Sequence, residues 1–177
     1  LSMQEEDGHW TDDEWSHLDT TCSVTCFLTI YQVTQDKKND ARINKARIRG
    51  FEYISNWQKD SGLWKDDTFH PAGIETTAHL MQYTLVPAYF MDGIEFAKKM
   101  CLEAADSLIA EQAKNGSWDN ENTDHTMDVC RNLMLVSDTF KTKEKYTPII
   151  EKGVRWLIDI KNGQGWGDFP DEPSNVE

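Results

Sequence analysis

The sequence predicts an all-α protein built from three helical hairpins. The first observation is a turn that pairs a glycine with a tryptophan and recurs at Trp10, Trp64, Trp118 and Trp166. These tryptophans lie 54, 54 and 48 residues apart, and self-similarity at a fixed period is the signature of a repeat architecture. The second observation is that two stretches with helical spacing of apolar residues fit between successive turns. Each hairpin is therefore predicted to hold an inner helix, a polar connection and an outer helix.

The repeats are expected to form a single module over residues 1–177. In chain order they cover residues 4–58, 58–112 and 112–161, followed by an incomplete fourth repeat over 161–177. The predicted inner helices cover residues 18–35, 74–91 and 127–140. They are apolar on most faces, which predicts burial on both sides. Pro87 falls inside the second inner helix and is expected to kink it or end it early, because it lacks a backbone N–H.

The outer helices are amphipathic. Apolar residues recur at helical spacing, for example Ile43, Phe51 and Trp57 in the first hairpin. Charged residues occupy the remaining positions and are expected to face solvent. In the first outer helix they are Arg42, Lys45, Arg47 and Arg49.

Composition and charge exclude several classes of partner. The 177 residues carry a net charge of -13 and a pI near 4.7, whereas nucleic acids and anionic membrane surfaces attract basic patches. No apolar run approaches the roughly 18 residues of a spanning helix, so no membrane insertion is expected. The four cysteines form no Cys-x-x-Cys pair and lie in predicted helices, which favours reduced thiols and a cytoplasmic protein.

The repeated turn carries a resemblance. The segments from Gln58 to Trp64 and from Gln112 to Trp118 each place a Gln before a Gly–x–Trp turn. This pattern resembles the QW-type repeat of the terpenoid cyclase and protein prenyltransferase superfamily. The resemblance implies an α/α toroid, in which three hairpins make a partial or half ring. A second copy of the chain or further repeats of the same polypeptide are expected to complete it.

The resemblance implies that a catalytic acid should be sought among the aspartates of the chain. Class II terpene cyclases protonate their substrate with an aspartate of a DxDD motif, and the nearest string here is Trp64-Lys65-Asp66-Asp67-Thr68. Its first position is a tryptophan, so a solvated acidic loop is the preferred interpretation.

A second pattern appears when the repeats are aligned on their tryptophans. One histidine and one carboxylate follow each tryptophan, near the start of each inner helix. They are His17, His70 and His125, with Asp19, Glu75 and Asp128. The carboxylates are candidate catalytic residues that can converge at one mouth of the repeat. The competing interpretation makes them helix caps and first-turn acids, which stabilise helix N-termini.

The leading prediction is that the protein has no cofactor, and the alternative is that it binds zinc. Protein prenyltransferases hold zinc with a D-x-C string and a later histidine, and Asp128-Val129-Cys130 has that spacing. The resemblance therefore implies candidate ligands in a small set of residues. They are His17, His70, His125, Asp128 and Cys130.

Aromatic residues on the inner helices are candidates for an apolar ligand pocket, although core packing is their commoner use. The candidate binding residues are Trp15, Tyr31, Tyr83 and Tyr89.

Three functions follow from these patterns. The leading prediction is a non-catalytic binding or scaffold module that holds a protein segment or an apolar small molecule. Its support is the absent DxDD motif and the incomplete prenyltransferase zinc set. The first alternative is a cyclase or prenyltransferase-type enzyme completed by residues outside this chain. The second is a metal-dependent enzyme that uses the histidines and carboxylates of the mouth.

Overall fold

The chain folds into helices alone within the residues described by the computed structural model, which are 3–12, 16–37, 40–65, 73–161, 165–170 and 172. These helices are α1 (His17–Thr34), α2 (Ala41–Ser55), α3 (Gly73–Leu80), α4 (Val86–Asp92), α5 (Glu95–Ala110), α6 (Thr123–Phe140) and α7 (Lys143–Asp159). A π-helical turn, Met81–Leu85, joins α3 to α4 without a break. No strand occurs in those ranges, so the predicted all-α class is confirmed.

The helices form two layers. The inner layer contains α1, the continuous helix from α3 to α4, and α6, which contact one another in that order. Each outer helix packs on its own inner partner, and α2 and α5 also contact the inner helix of the following hairpin. The outer helices therefore bridge neighbouring hairpins. Among the described helices, none has the length and apolar character needed to cross a bilayer.

A glutamine side chain fastens each of the first three Gly–Trp turns to the outer helix that follows. Gln58 Nε2 donates to the carbonyl of Gly62 at 2.8 Å and to the carbonyl of Met100 in α5 at 3.3 Å. The same two bonds run from Gln4 to Gly8 and Ala46, and from Gln112 to Gly116 and Ile149. Because one amide joins a turn to a helix about 40 residues away, the glutamine sets the position of the next hairpin.

Trp64 and Trp118 fill the gaps between successive hairpins, whereas Trp166 of the last turn is 38% exposed. Trp118 is fully buried, and its backbone N–H donates to Thr126 Oγ1 in α6 at 3.0 Å. Its indole N–H donates to the carbonyl of Leu108 in α5 at 2.6 Å, and its ring lies against Gly153 of α7. Trp118 therefore contacts two outer helices through its side chain and one inner helix through its backbone. The equivalent backbone bonds run from Trp10 to Thr21 and from Trp64 to Thr77.

The turn requires glycine for two reasons. Gly116 has a φ of +107°, a conformation that L side chains rarely adopt. A Cβ there would also lie 2.5 Å from the carbonyl oxygen of Lys152 in α7. The turn can approach the outer helix closely only without a side chain.

A buried ion pair ties the first hairpin to the second, and it corrects the sequence-based view of Arg47. The Arg47 side chain is only 4% exposed and binds Asp92 of α4 with two hydrogen bonds, at 2.8 and 3.1 Å. It also donates to Thr29 and Gln32 of α1. The prediction that Arg47 faces solvent is wrong, because the bridging position of α2 places this side chain between α1 and α4.

Pro87 does not end its helix. The π-helical turn immediately precedes it, and Val86 N–H donates to the carbonyl of Met81, five residues earlier. The widened turn accommodates the missing proline N–H, and the helix continues to Asp92. Of the two predicted effects of Pro87, the early end is therefore wrong, and the kink stays a prediction.

The first inner helix is buried on one face only. Phe27 is 63% exposed and Ile30 is 54% exposed, although the sequence predicts burial on both sides. The buried residues of α1 face α2 and the α3–α4 helix. A partial or half toroid remains a prediction.

The glycine requirement can be tested with a matched pair. Gly116→Ala is expected to lower the free energy of unfolding by about 3 kcal/mol or more, from backbone strain together with the clash. Gly93 also has positive φ, but nothing lies within 4 Å of its added Cβ, so Gly93→Ala should cost only about 1 kcal/mol. Urea denaturation followed by tryptophan fluorescence measures both, and equal losses would contradict the close approach.

The buried ion pair gives a second prediction. Arg47→Met should lower the free energy of unfolding by about 3–5 kcal/mol, because Asp92 is left as an unpaired buried charge. The double variant Arg47→Met/Asp92→Leu should recover much of this loss. Lys99→Met is the control, since Lys99 pairs with Glu103 at an exposed site and should change stability little. A single Arg47 variant as stable as the control would contradict the network.

Candidate functional site

A cavity of about 740 Å³ opens between the first and second inner helices. Its lining comes from α1, from α3, from the π-helical turn and from the segment before α1. The residues that matter for its chemistry are Asp12, Asp19, Ser23, Glu75, His79 and Tyr83. The cavity therefore brings together two of the three predicted carboxylates, Asp19 and Glu75.

Asp19 belongs to the first turn of α1. Ser16 caps this helix, and its hydroxyl oxygen accepts from the backbone N–H of Asp19 at 3.0 Å. The same hydroxyl donates to Asp19 Oδ2 at 3.0 Å. The positive end of the helix dipole favours a carboxylate here. Asp19 thus takes part in capping while it also lines the cavity.

Glu75 forms an ion pair across the second and third hairpins. His125 Nε2 lies 3.0 Å from Glu75 Oε2, and His125 Nδ1 lies 2.6 Å from Asp119 Oδ2. Hydrogen bonding to Glu75, and then to Asp119, raises the pKa of His125 to about 9. The imidazolium is thereby held between two carboxylates and joins α3 to the start of α6.

Asp128 forms a second bridge between the same hairpins. His79 Nε2 lies 2.9 Å from Asp128 Oδ2, and Arg131 Nη2 contacts the other oxygen at 2.7 Å. The hydrogen bond to Asp128 is the main cause of a raised pKa of His79. Asp128 lies in the second turn of α6, so helix capping does not explain it.

Equivalent positions in the three repeats are identified more accurately from three threonines than from the tryptophans. The hydroxyl oxygen of each threonine accepts a hydrogen bond from the backbone N–H of the tryptophan in its repeat. They are Thr21, Thr77 and Thr126. Two residues before each threonine stands an acid: Asp19, Glu75 and Asp124. The third equivalent carboxylate is therefore Asp124 rather than Asp128. Its pKa is raised by desolvation and by the charges of Asp128 and Glu75.

The same register explains why the cavity exists. Two residues after the threonines stand Ser23, His79 and Asp128. Between the second and third hairpins the side chains of His79 and Asp128 form an ion pair and occupy the space between α3 and α6. Between the first and second hairpins Ser23 faces the cavity in place of such a side chain. Alignment on the tryptophans does not select His79. The sequence signal for it is the acid–x–Thr string, which recurs in all three repeats and ends two residues before Ser23, His79 and Asp128.

The predicted zinc ligands occupy different environments. His17 is exposed and its ring stacks on that of His9, with 4.5 Å between centroids. Cys130 is buried against Gly153 of α7, and this burial raises its thiol pKa to about 12. Asp128 points instead to α3, since residues two apart on a helix face different ways. His70 lies outside the described residues.

No group of three or more His, Cys, Asp or Glu side chains is arranged to hold a metal ion within the described ranges. Zinc binding stays a prediction.

The three predicted aromatic residues that the structure describes do not converge. Tyr83 lines the cavity, but Tyr31 packs beside Phe27 on the exposed face of α1. Tyr89 packs against Phe140 of α6, with 5.2 Å between ring centroids. Trp15 lies outside the described residues, as do Asp66 and Asp67 of the acidic string.

The pairing of His125 predicts a pH dependence of stability. Its folded pKa of about 9 lies above the ordinary value of 6.5, so its contribution is fully present below pH 6.5 and is lost as pH rises through 9. His125→Gln should flatten the stability profile between these values. Denaturation at several pH values measures this, with an NMR titration of the imidazole as the direct check. A variant that keeps the wild-type slope would contradict the ion pair.

No family model matches the chain, and no curated protein or solved structure matches it either. The likeness to the terpenoid cyclase and prenyltransferase superfamily therefore depends on the repeated turn residues, and membership of that superfamily remains a proposal.

Proposed function

We propose that this chain is a binding module of the terpenoid cyclase and prenyltransferase repeat type. It holds a small, largely apolar molecule in the cavity between α1 and α3 and does not transform it. The observation that carries the proposal is the cavity itself. Its volume of about 740 Å³ falls within the range of small-molecule sites, roughly 300–1,000 Å³.

The lining supports a small molecule rather than a protein segment. Tyr83, Val24 and Cys22 supply apolar surface, while Thr20 and Thr76 add hydroxyl groups between the carboxylates. Apolar surface beside convergent polar groups is typical of sites that orient one compact ligand. A bound protein segment would instead require an extended groove along several elements.

Most of the histidines and carboxylates predicted as site residues form ion pairs that join neighbouring hairpins. His125 spans Glu75 and Asp119, and Asp128 is shared by His79 and Arg131. A general acid or base must reach its substrate within hydrogen-bond distance. These pairs instead use their donors and acceptors on one another, which favours binding over catalysis.

One observation favours an enzyme as the second candidate. His79 lines the cavity while its Nε2 is oriented by Asp128, and a carboxylate that orients an imidazole is a recurrent acid–base arrangement. In this version, residues outside the chain complete a cyclase or prenyltransferase-type site. Mass spectrometry of a bound ligand before and after incubation distinguishes the two candidates, because only an enzyme changes the ligand mass or retention.

The binding proposal can be tested with the neutral dye N-phenyl-1-naphthylamine, whose fluorescence rises in apolar sites. We expect saturable binding to one site and its loss in Ser23→Trp, since Ser23 is exposed at the cavity and a tryptophan there fills it. Thr34→Trp is the control, because Thr34 is exposed on the same helix, about 16 Å further along its axis.

The outcomes are distinct. Loss in Ser23→Trp with retention in Thr34→Trp supports the cavity as the site. Binding that is absent in the wild type, or equal in both variants, rules the site out.

A further inference from the structure

We propose that the exposed end of the third hairpin is a docking surface for a further helical hairpin of the same repeat, joined to it through the fourth Gly–Trp turn. This surface, the open end, consists of apolar side chains from α6, from α7 and from that turn. They are Met127, Met134, Val154, Ile158 and Trp166, and each is at least 38% exposed. The open end is separate from the cavity, which lies between the first and second hairpins.

Repeated hydrogen bonds identify equivalent positions on the three outer helices. The carbonyls that accept from the three glutamines lie eight residues before those that accept from the tryptophan indoles. In chain order the pairs are Ala46 and Ile54, Met100 and Leu108, and Ile149 and Leu157. Val154 of α7 is therefore equivalent to Phe51 of α2 and Ala105 of α5. Both equivalents are buried, whereas Val154 is exposed.

Met127 holds the corresponding position on the third inner helix. It directly follows the threonine that accepts the tryptophan N–H, and the residues at this position in the first two hairpins are Cys22 and Ala78. Both are buried, whereas Met127 is 49% exposed. Thr84 of the π-helical turn donates to the Cys22 sulfur at 3.7 Å, and Phe51 lines a small space with the same threonine. In the first hairpin both positions are therefore covered by the hairpin that follows.

Trp166 makes one half of the joint that the earlier tryptophans complete. Its indole N–H donates to the carbonyl of Leu157, just as the indoles of Trp64 and Trp118 donate to the outer helices that precede them. The ring of Trp118 also lies against Gly153 of the hairpin that follows, and Trp64 and Trp118 are fully buried. Trp166 has the same attachment on one side but remains exposed. The fourth turn thus holds a side chain in the position that a following hairpin covers.

A second copy of the chain cannot complete this joint in the same way. Trp118 and Trp10 already fill the places beside Gly153 and Gly50, where their rings lie 3.0 and 3.1 Å from the position of an added Cβ. Trp64 is likewise buried in its own joint. The inferred occupant is therefore a hairpin whose place is unfilled, with a threonine hydroxyl on its inner helix and a small residue on its outer helix. Both established joints link hairpins that are consecutive in the chain, which favours a hairpin that follows the fourth turn.

An added hairpin tests the inference on the full chain. Residues 119–166 are repeated once after Trp166, so that the new unit follows the fourth turn as the third hairpin follows Trp118. We expect one cooperative unfolding transition in urea, with a higher midpoint and a denaturant dependence about 1.3-fold larger, because this dependence scales with the surface exposed on unfolding. Circular dichroism should show unchanged helicity per residue. A separate transition for the added unit, or an unchanged transition with lower helicity per residue, overturns the inference.

A substitution at the open end shows which surface the added hairpin covers. Met127→Lys, made only in the original third hairpin, should lower the urea midpoint of the extended chain and change that of the 177-residue chain much less, because only a covered lysine loses its hydration. Phe96→Lys is the control, since Phe96 is exposed at the start of α5 in the second hairpin and should act equally in both chains. Equal effects of Met127→Lys in the two chains would overturn the inference.

Light scattering tests a second copy as the occupant. We expect the 177-residue chain and its Met127→Lys variant to have the same molar mass across the micromolar range. A dimeric wild type that Met127→Lys converts to monomers would place a second copy on the open end, and would overturn the inference.

Discussion

The structure depends on one side-chain amide per repeat. The Nε2 group of Gln58 holds its own turn together and binds a carbonyl of α5, about 40 residues away. Each of these bonds is ordinary in strength, about 1 kcal/mol, but the bond to α5 forms only when two hairpins are already in place. The fully buried Trp64 and Trp118 then join neighbouring hairpins by packing and by hydrogen bonds. The hairpins are therefore coupled to their neighbours, as in other repeat proteins.

This coupling brings the starts of the inner helices together, where the acidic and histidine side chains meet. At the boundary between the second and third hairpins, His79 with Asp128 and His125 with Glu75 close the space with ion pairs. At the preceding boundary the equivalent position is Ser23, and a cavity takes the place of a pair. The candidate site thus comes from a small side chain in a repeat whose other two members are larger and form an ion pair.

The hairpins and their order could be predicted from the sequence because glycine, tryptophan and apolar spacing report local structure. The site was only partly predictable. The connection from tryptophan to the paired threonine varies in length, from Trp118 to Thr126 and from Trp64 to Thr77, so alignment on tryptophan shifts the register. Asp128 was thereby grouped with Asp19 and Glu75, and His79 was missed. Arg47 could not be placed either, because its burial depends on the contact of α2 with α4, which no local pattern encodes.

The central claim is that the repeated turns couple the hairpins into one cooperative unit. Native-state hydrogen exchange at the backbone amides of Trp64 and Trp118 tests it most directly, since each amide donates to the inner helix that follows while the indole of the same residue donates to the preceding outer helix. The account predicts that both amides exchange only through global unfolding, with the same opening free energy and the same dependence on denaturant. Exchange of either amide through a local opening of much lower free energy would show that the hairpins open independently, and would contradict the account.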